Sequence, residues 1–116
     1  MSTVVLVEDY LSAVRVGQHY DTYCLWGTKC SYEFLKELFD SYETVLVWLD
    51  NDGTKETNSG QVAAQKICKM ANSILSYKNR KRLTPLWAVK NVLTENDPKT
   101  FSDTEIREIL EGVLNE

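Results

Sequence analysis

Short, uninterrupted runs of apolar residues alternate along the chain with segments in which apolar residues recur at helical spacing. The uninterrupted runs are typical of strands that a sheet buries on both faces. They fall at residues 3–7 (TVVLV), 23–26 (YCLW), 44–49 (TVLVWL) and 86–89 (LWAV). The third run is the strongest strand candidate because it is unbroken and rich in β-branched residues.

The segments between these runs have the periodicity of amphipathic helices. They predict helices over residues 10–18, around 34–39 and over 63–77, and Ser102 and Glu105 form a capping-box pattern that predicts the start of a last helix. The polar segment 50–60 (DNDGTKETNSG) is predicted to be a loop. The order β-α-β-α-β-α-β-loop-α favours an α/β fold, with about four mainly parallel strands and helices on both faces of the sheet.

Length, charge and cysteine content exclude several classes of protein. A chain of 116 residues fits one domain, and its net charge of -4 argues against coating nucleic acid through bulk charge. No apolar run has the length of a membrane span and no basic-then-apolar leader begins the chain, so we expect a cytoplasmic protein without a membrane partner. Three cysteines, an odd number, argue for reduced thiols, and the lack of a Cys-x-x-Cys pair argues against structural zinc.

Acidic residues follow several of the predicted strands, at the edge where parallel α/β sheets bind ligands. The residues that follow the four strands are, in order, Glu8 and Asp9; Gly27 and Thr28; Asp50, Asn51 and Asp52; and Asn96, Asp97 and Pro98. Clustered carboxylates repel one another unless a cation neutralises them. Hard oxygen donors without histidine or cysteine favour Mg²⁺ or Mn²⁺. A single acid in such a place is more often a solvated turn residue or a helix cap, but three acids at the ends of two strands favour the metal site.

Five segments in this order resemble the Toprim domain, which bacterial and phage primases, topoisomerases and some nucleases share. They are VVLVEDYLSAVRV, YCLWGT, VLVWLDND, a helix that carries GQVAAQK (residues 60–66), and the motif Asp97-Pro98-Lys99. The resemblance covers nearly the whole chain and is greatest to the primase branch, especially bacteriophage primases and primase-helicases. It implies a single Toprim (Rossmann-like) domain over residues 1–116.

The resemblance also implies roles for individual residues. Glu8 matches the family's glutamate, a metal ligand or general acid/base, while Asp50 and Asp52 match its metal-binding D-x-D and Asp97 matches a late acidic position. The implied cofactor is Mg²⁺ or Mn²⁺. The chain departs from the pattern in the segment 54–59, which lengthens the loop before the helical glycine, and directly after Glu8, where many members have glycine.

Basic residues provide candidate contacts to nucleic acid and nucleotide. Lys78, Arg80, Lys81 and Arg82 are the candidate nucleic-acid patch, or otherwise a solvated helix end whose positive charge complements the helix dipole. The candidate nucleotide-binding residues are Gly27, Thr28, Lys90 and Lys99. The three tryptophans, Trp26, Trp48 and Trp87, are expected in the core.

The resemblance therefore implies a metal-dependent nucleotidyltransferase domain of a DNA primase, which makes RNA primers for phage DNA replication. Its partners would be a single-stranded DNA template, nucleoside triphosphates, and other primase or helicase domains or replication proteins, in the cytoplasm of a bacterial host. Two alternatives remain open, a small Toprim nuclease and a non-catalytic docking module. Because family members also carry a zinc-binding module and a further catalytic portion, we expect an excised domain or a small protein whose partners act in trans.

Overall fold

Parallel strands form a single sheet in the computed structural model, which describes residues 2–51, 58–81 and 87–116, with the backbone alone described at residue 81. The strands are β1 (Thr3–Val7), β2 (Asp21–Cys24), β3 (Thr44–Val47) and β4 (Ala88–Asn91). They lie in the order β2-β1-β3-β4, and each neighbouring pair is parallel. The predicted α/β class and parallel sheet are confirmed.

Helices connect the strands in the predicted alternation. They are α1 (Tyr10–Val16), α2 (Tyr32–Ser41), α3 (Ser59–Lys78) and α4 (Asp103–Leu114), with short 3₁₀ turns at Asn79–Lys81 and Pro98–Thr100. The predicted capping box at α4 is confirmed, because the Ser102 hydroxyl accepts from the Glu105 amide and the Glu105 carboxylate accepts from the Ser102 amide. No helix in the described part of the chain is long and apolar enough to cross a membrane.

Alternation along the two central strands divides the core into two layers. Val4, Leu6, Val45 and Val47 pack with α2 and α3 on one face, and Val5, Val7, Leu46 and Trp48 pack with α1 and α4 on the other. Burial on both faces explains why these strands are continuous apolar runs in the sequence.

The register aligns the carboxyl ends of the strands. Val7 lies opposite Cys24, Leu6 opposite Val47, and Val47 opposite Asn91. Backbone bonds continue past the strand ends: the Trp48 amide donates to the Leu6 carbonyl (2.9 Å) and the Val92 amide to the Val47 carbonyl (2.7 Å). The residues after each strand therefore meet at one edge of the sheet, hereafter the carboxyl edge.

The second strand and its tryptophan differ from the prediction. β2 begins two residues early and ends at Cys24, so Trp26 lies beyond the strand and is 74% exposed. The expectation that Trp26 packs in the core is wrong, because β2 is an edge strand that is not completely covered and the chain turns after Leu25. Trp48, by contrast, is fully buried as predicted.

Candidate functional site

The carboxyl edge is organised around a bond between the first acid after β1 and the backbone that follows β3. The Asp50 amide donates a hydrogen bond to Oε1 of Glu8 over 3.1 Å. Both side chains are half-buried. This bond fixes the Glu8 carboxylate against the residue that carries the second acid, so two of the predicted site residues are brought together.

The first turn of α3 closes over this pair at Gly60. A Cβ on Gly60 would lie 2.7 Å from Oε1 of Glu8 and closer still to the carbonyl oxygen of Asp50, nearer than side-chain carbons approach such atoms in proteins. Only glycine allows the helix to begin so close to the two acids. The glycine that begins the GQVAAQK segment is thus required by packing, because it lies against the Glu8 carboxylate and the Asp50 backbone carbonyl.

Gln61 links three elements at the same place and was not singled out as a site residue from the sequence. Its Nε2 donates to the carbonyls of Leu49 and Asp50, both over 3.2 Å, and its Oε1 accepts from Nδ2 of Asn91 over 3.2 Å. The side chain is almost completely buried. A polar residue on the buried stripe of α3, one position after Gly60, was the signal that could have identified it.

The donor set at the carboxyl edge suits a hard divalent cation. Glu8 and Asp50 carry carboxylate groups at this edge, and the Asp50 amide holds the Glu8 carboxylate in place. Among the described residues no group of three potential ligand side chains is close enough to form a metal site. Asp52, the second acid of the D-x-D, lies outside the described residues, and its role stays a prediction.

Lys99 brings a positive charge to this edge. Its Nζ donates to Oδ2 of Asp9 over 2.8 Å and to Oδ2 of Asp97 over 3.2 Å. The bond to Asp9 raises the pKa of Lys99; burial opposes this, while the bond to Asp97 and the charges of Asp9 and Asp50 reinforce it. Lys99 and Asp97 therefore lie next to Asp9 and interact with each other, while their nucleotide- and metal-binding roles stay predictions.

Asp9 has two roles that its position at the end of β1 explains. It caps α1, accepting from the Ser12 amide over 2.8 Å, and it pairs with Lys99. Burial alone would raise the pKa of Asp9, but the bonds from Lys99 and Ser12 and the charge of Lys99 outweigh burial and lower it. The reading of each acid as a helix cap is therefore correct for Asp9, without removing it from the cluster.

The remaining nucleotide-binding candidates lie in different places. Nζ of Lys90 donates to the carbonyls of Val113 (2.9 Å) and Glu116 (3.3 Å), where its charge complements the end of α4. The structure does not bring Lys90 to the acids. Gly27 does lie there, at φ 139°, and its amide donates to the Glu8 carbonyl over 3.0 Å. Thr28 lies next to it and lines a groove between the segment 28–31 and α3.

The described residues of the basic run lie at the other end of α3. A helix of 20 residues is about 30 Å long, and α3 begins at the acids and ends where Asn79 bonds to Trp87, just before β4. Nζ of Lys78 pairs with Asp40 over 3.2 Å and lies 4.6 Å from the Trp87 ring centroid. Arg82 and the side chain of Lys81 lie outside the described residues, so the patch stays a prediction.

Two exposed aromatic rings lie beside the acids. Tyr10 and Trp26 are stacked, with ring centroids 5.9 Å apart and planes inclined by 9°. Trp26 has φ 56°, a left-handed conformation that costs a bulky residue roughly 1–3 kcal/mol. Glu8, Asp9 and Gly27 line a groove together with the two rings. The glycine after Trp26, which permits a sharp turn, was the sequence signal that this tryptophan lies outside the strand.

Comparisons with known proteins agree with the fold. No protein-family model matches the chain, and no curated protein matches it significantly. Among solved structures, the chain is similar to a crystal structure of the Aquifex aeolicus primase that comprises its zinc-binding and RNA polymerase domains, with a TM-score of 0.71 and 18% sequence identity. The match covers 96% of this chain and 26% of the primase chain, so the chain spans about a quarter of that length. The chain therefore has a primase-like α/β fold.

The close approach at Gly60 predicts opposite effects for two glycine substitutions in helices. Gly60→Ala should lower the free energy of unfolding by about 1–3 kcal/mol, because the methyl group forces α3 away from Glu8 and Asp50. Gly112→Ala, in α4 with open space around its Cβ, should raise it by about 0.5–1 kcal/mol through helix propensity. Urea denaturation of both variants measures the difference, and a neutral Gly60→Ala would contradict the tight contact.

The Lys99 cluster predicts a pH-dependent stability. The pKa of Asp9 lies below its ordinary 3.8, so its contribution to the free energy of unfolding is present above pH 3.8 and is lost as pH falls through the lowered value. The pKa of Lys99 lies above its ordinary 10.5, so its contribution to the free energy of unfolding is lost only above that pH. Lys99→Met should therefore melt at a lower temperature than wild type between these limits, and the deficit should shrink below pH 3.8.

Thermal melts followed by circular dichroism measure this deficit. Lys69→Met, on the exposed face of α3, is the matched control and should melt like the wild type. A Lys99→Met deficit that is the same at pH 7 and at acidic pH would show that Lys99 stabilises the fold through packing and not through its charge.

Proposed function

We propose that the chain is the metal-dependent nucleotidyl-transfer domain of a DNA primase, of the Toprim type. The observation that carries the proposal is the contact of Glu8 with Asp50 under Gly60, at the carboxyl ends of two adjacent parallel strands. Parallel sheets bind ligands at this edge. Similarity of fold to a primase supports the same assignment.

Glu8, Asp50 and Asp52 are the residues that would hold Mg²⁺ or Mn²⁺. The ion, when bound, supplies positive charge for the attack of a 3′-hydroxyl on a nucleoside triphosphate and for the departure of pyrophosphate. Glu8 is suited to a fixed ligand role because the Asp50 amide orients its carboxylate. Gln61 and Asn91 support this arrangement by holding the backbone at the end of β3.

Lys99 is the residue that we propose to contact the triphosphate. Its raised pKa keeps it charged at neutral pH, and its bonds to Asp9 and Asp97 hold the ammonium group at the carboxyl edge. In the absence of nucleotide the two aspartates compensate this charge. Phosphate oxygens would replace them as partners when a nucleotide binds, which couples nucleotide binding to the acidic cluster.

The proposed substrates are nucleoside triphosphates and a single-stranded DNA template. We further propose that other primase or helicase domains, or replication proteins, complete the active unit, because the chain spans about a quarter of the primase chain to which it is similar. Phage DNA replication in the cytoplasm of a bacterial host is the setting that this proposal implies.

Charge-neutral substitutions test the proposal. Asp50→Asn, Asp52→Asn and Glu8→Gln should each abolish Mn²⁺ binding or weaken it at least tenfold. The fold should survive, because the backbone amide of residue 50 is unchanged and a glutamine at position 8 keeps an Oε1 that accepts its hydrogen bond. Asp40→Asn, an exposed acid that pairs with Lys78, is the matched control and should bind Mn²⁺ normally. Electron paramagnetic resonance of free Mn²⁺ measures binding.

Activity on the same variants separates primase from its alternatives. With single-stranded DNA, nucleoside triphosphates and a zinc module supplied in trans, the wild type should form metal-dependent dinucleotides, and the three site variants should lose at least 10²-fold of that activity. Cleavage of labelled DNA or RNA in place of synthesis would assign a nuclease. Full activity of the Mn²⁺-deficient variants would contradict a catalytic role for the acids and favour a docking module.

A further inference from the structure

The turn after β2 places the side chain of Trp26 on the surface and fixes its position. On either side of Trp26, the Leu25 amide donates to the Val7 carbonyl (2.8 Å) and the Gly27 amide donates to the Glu8 carbonyl (3.0 Å). Two bonds to the end of β1 fix the backbone before and after the residue, so its left-handed conformation is imposed by the surrounding chain. The side chain is presented to solvent from a rigid support.

Tyr10 completes a flat surface with this tryptophan. The first residue of α1, it is 59% exposed, and its ring stacks nearly parallel to the Trp26 ring. Trp26 has one ring face towards Tyr10 and is nevertheless 74% exposed, so its remaining surface is open. Aromatic residues that contribute to a hydrophobic core are buried, whereas these two rings are exposed on a fixed backbone.

The position of the rings favours a nucleobase as the occupant. Glu8 and Asp9 line the same groove as the rings, and Lys99 pairs with Asp9 over 2.8 Å, so the apolar rings lie next to charged groups of both signs. A nucleotide fits this combination, because its base would stack on the aromatic rings while its phosphates would contact Lys99 and a cation held by the acids.

We propose that Tyr10 and Trp26 form a stacking platform for a nucleobase, which belongs either to a template strand or to a free nucleotide. The inference rests on the proposed function, which gives the neighbouring acids their phosphate-bearing substrate. It assigns the two rings a binding role that is separate from metal binding, so an experiment can contradict one role and leave the other intact.

The test measures base-dependent binding with three probes in the presence of Mg²⁺: oligothymidylate of about twelve nucleotides, an abasic strand of equal length, and ATP. Fluorescence anisotropy reports the strands, and quenching of tryptophan emission reports stacking. Wild type should bind a base-bearing probe at least about tenfold more tightly than the abasic strand, with quenching that disappears in Trp26→Phe while Trp48, fully buried, continues to emit.

Variants isolate the platform. Trp26→Ala and Tyr10→Ala should weaken binding of the base-bearing probe about tenfold and leave the abasic strand unaffected, and Trp26→Phe should restore most of the affinity. Tyr32→Ala removes another exposed ring, 46% accessible at the start of α2, and should change nothing. Preference for oligothymidylate or for ATP identifies whether the strand or the nucleotide supplies the base.

Two results would overturn the platform. One is equal binding of base-bearing and abasic probes by wild type, which would indicate that the rings bind a protein partner and not a base. The other is unchanged affinity in Trp26→Ala. Mn²⁺ binding by Trp26→Ala should be normal, so a failure of the platform is distinguishable from a failure of the metal proposal, which Asp50→Asn reports.

Discussion

The hydrogen bond from the Asp50 amide to the Glu8 carboxylate is the contact on which the candidate site depends. It joins the ends of the two central strands, β1 and β3, and it requires the first turn of α3 to carry glycine at position 60. Parallel pairing brings the strand ends level, and the two-layer core holds them there. The position of one carboxylate is thus determined by the sheet, a loop backbone and a helix together.

Electrostatics at the carboxyl edge explain why the acids coexist. Glu8, Asp9, Asp50 and Asp97 would repel one another if no positive charge were present. Lys99 supplies that charge through bonds to Asp9 and Asp97 and through its field at Asp50. The acids nearest Gly60 and the acids that hold Lys99 lie at the same edge of the sheet; under the proposed function, the first would hold a cation and Lys99 would contact the nucleotide.

The sequence predicted the fold well because burial on both faces of the sheet leaves a plain signal, as in TVLVWL. It also predicted that Glu8 and Asp50 meet, since parallel strands end at the same edge. It did not predict that Trp26 is exposed, because an apolar run does not show where an edge strand ends. Nor could it place Lys90, whose ammonium group bonds the end of a helix that is distant in sequence.

The central claim is that Glu8 and Asp50 belong to a site for a divalent cation. The most direct measurement is anomalous diffraction from crystals of the protein soaked in MnCl₂, compared with crystals of Glu8→Gln soaked in the same way. We predict an anomalous peak within coordination distance of the Glu8 and Asp50 carboxylates, about 2.0–2.2 Å, that is lost in the variant. Wild-type crystals with no anomalous peak within reach of these carboxylates would contradict the account.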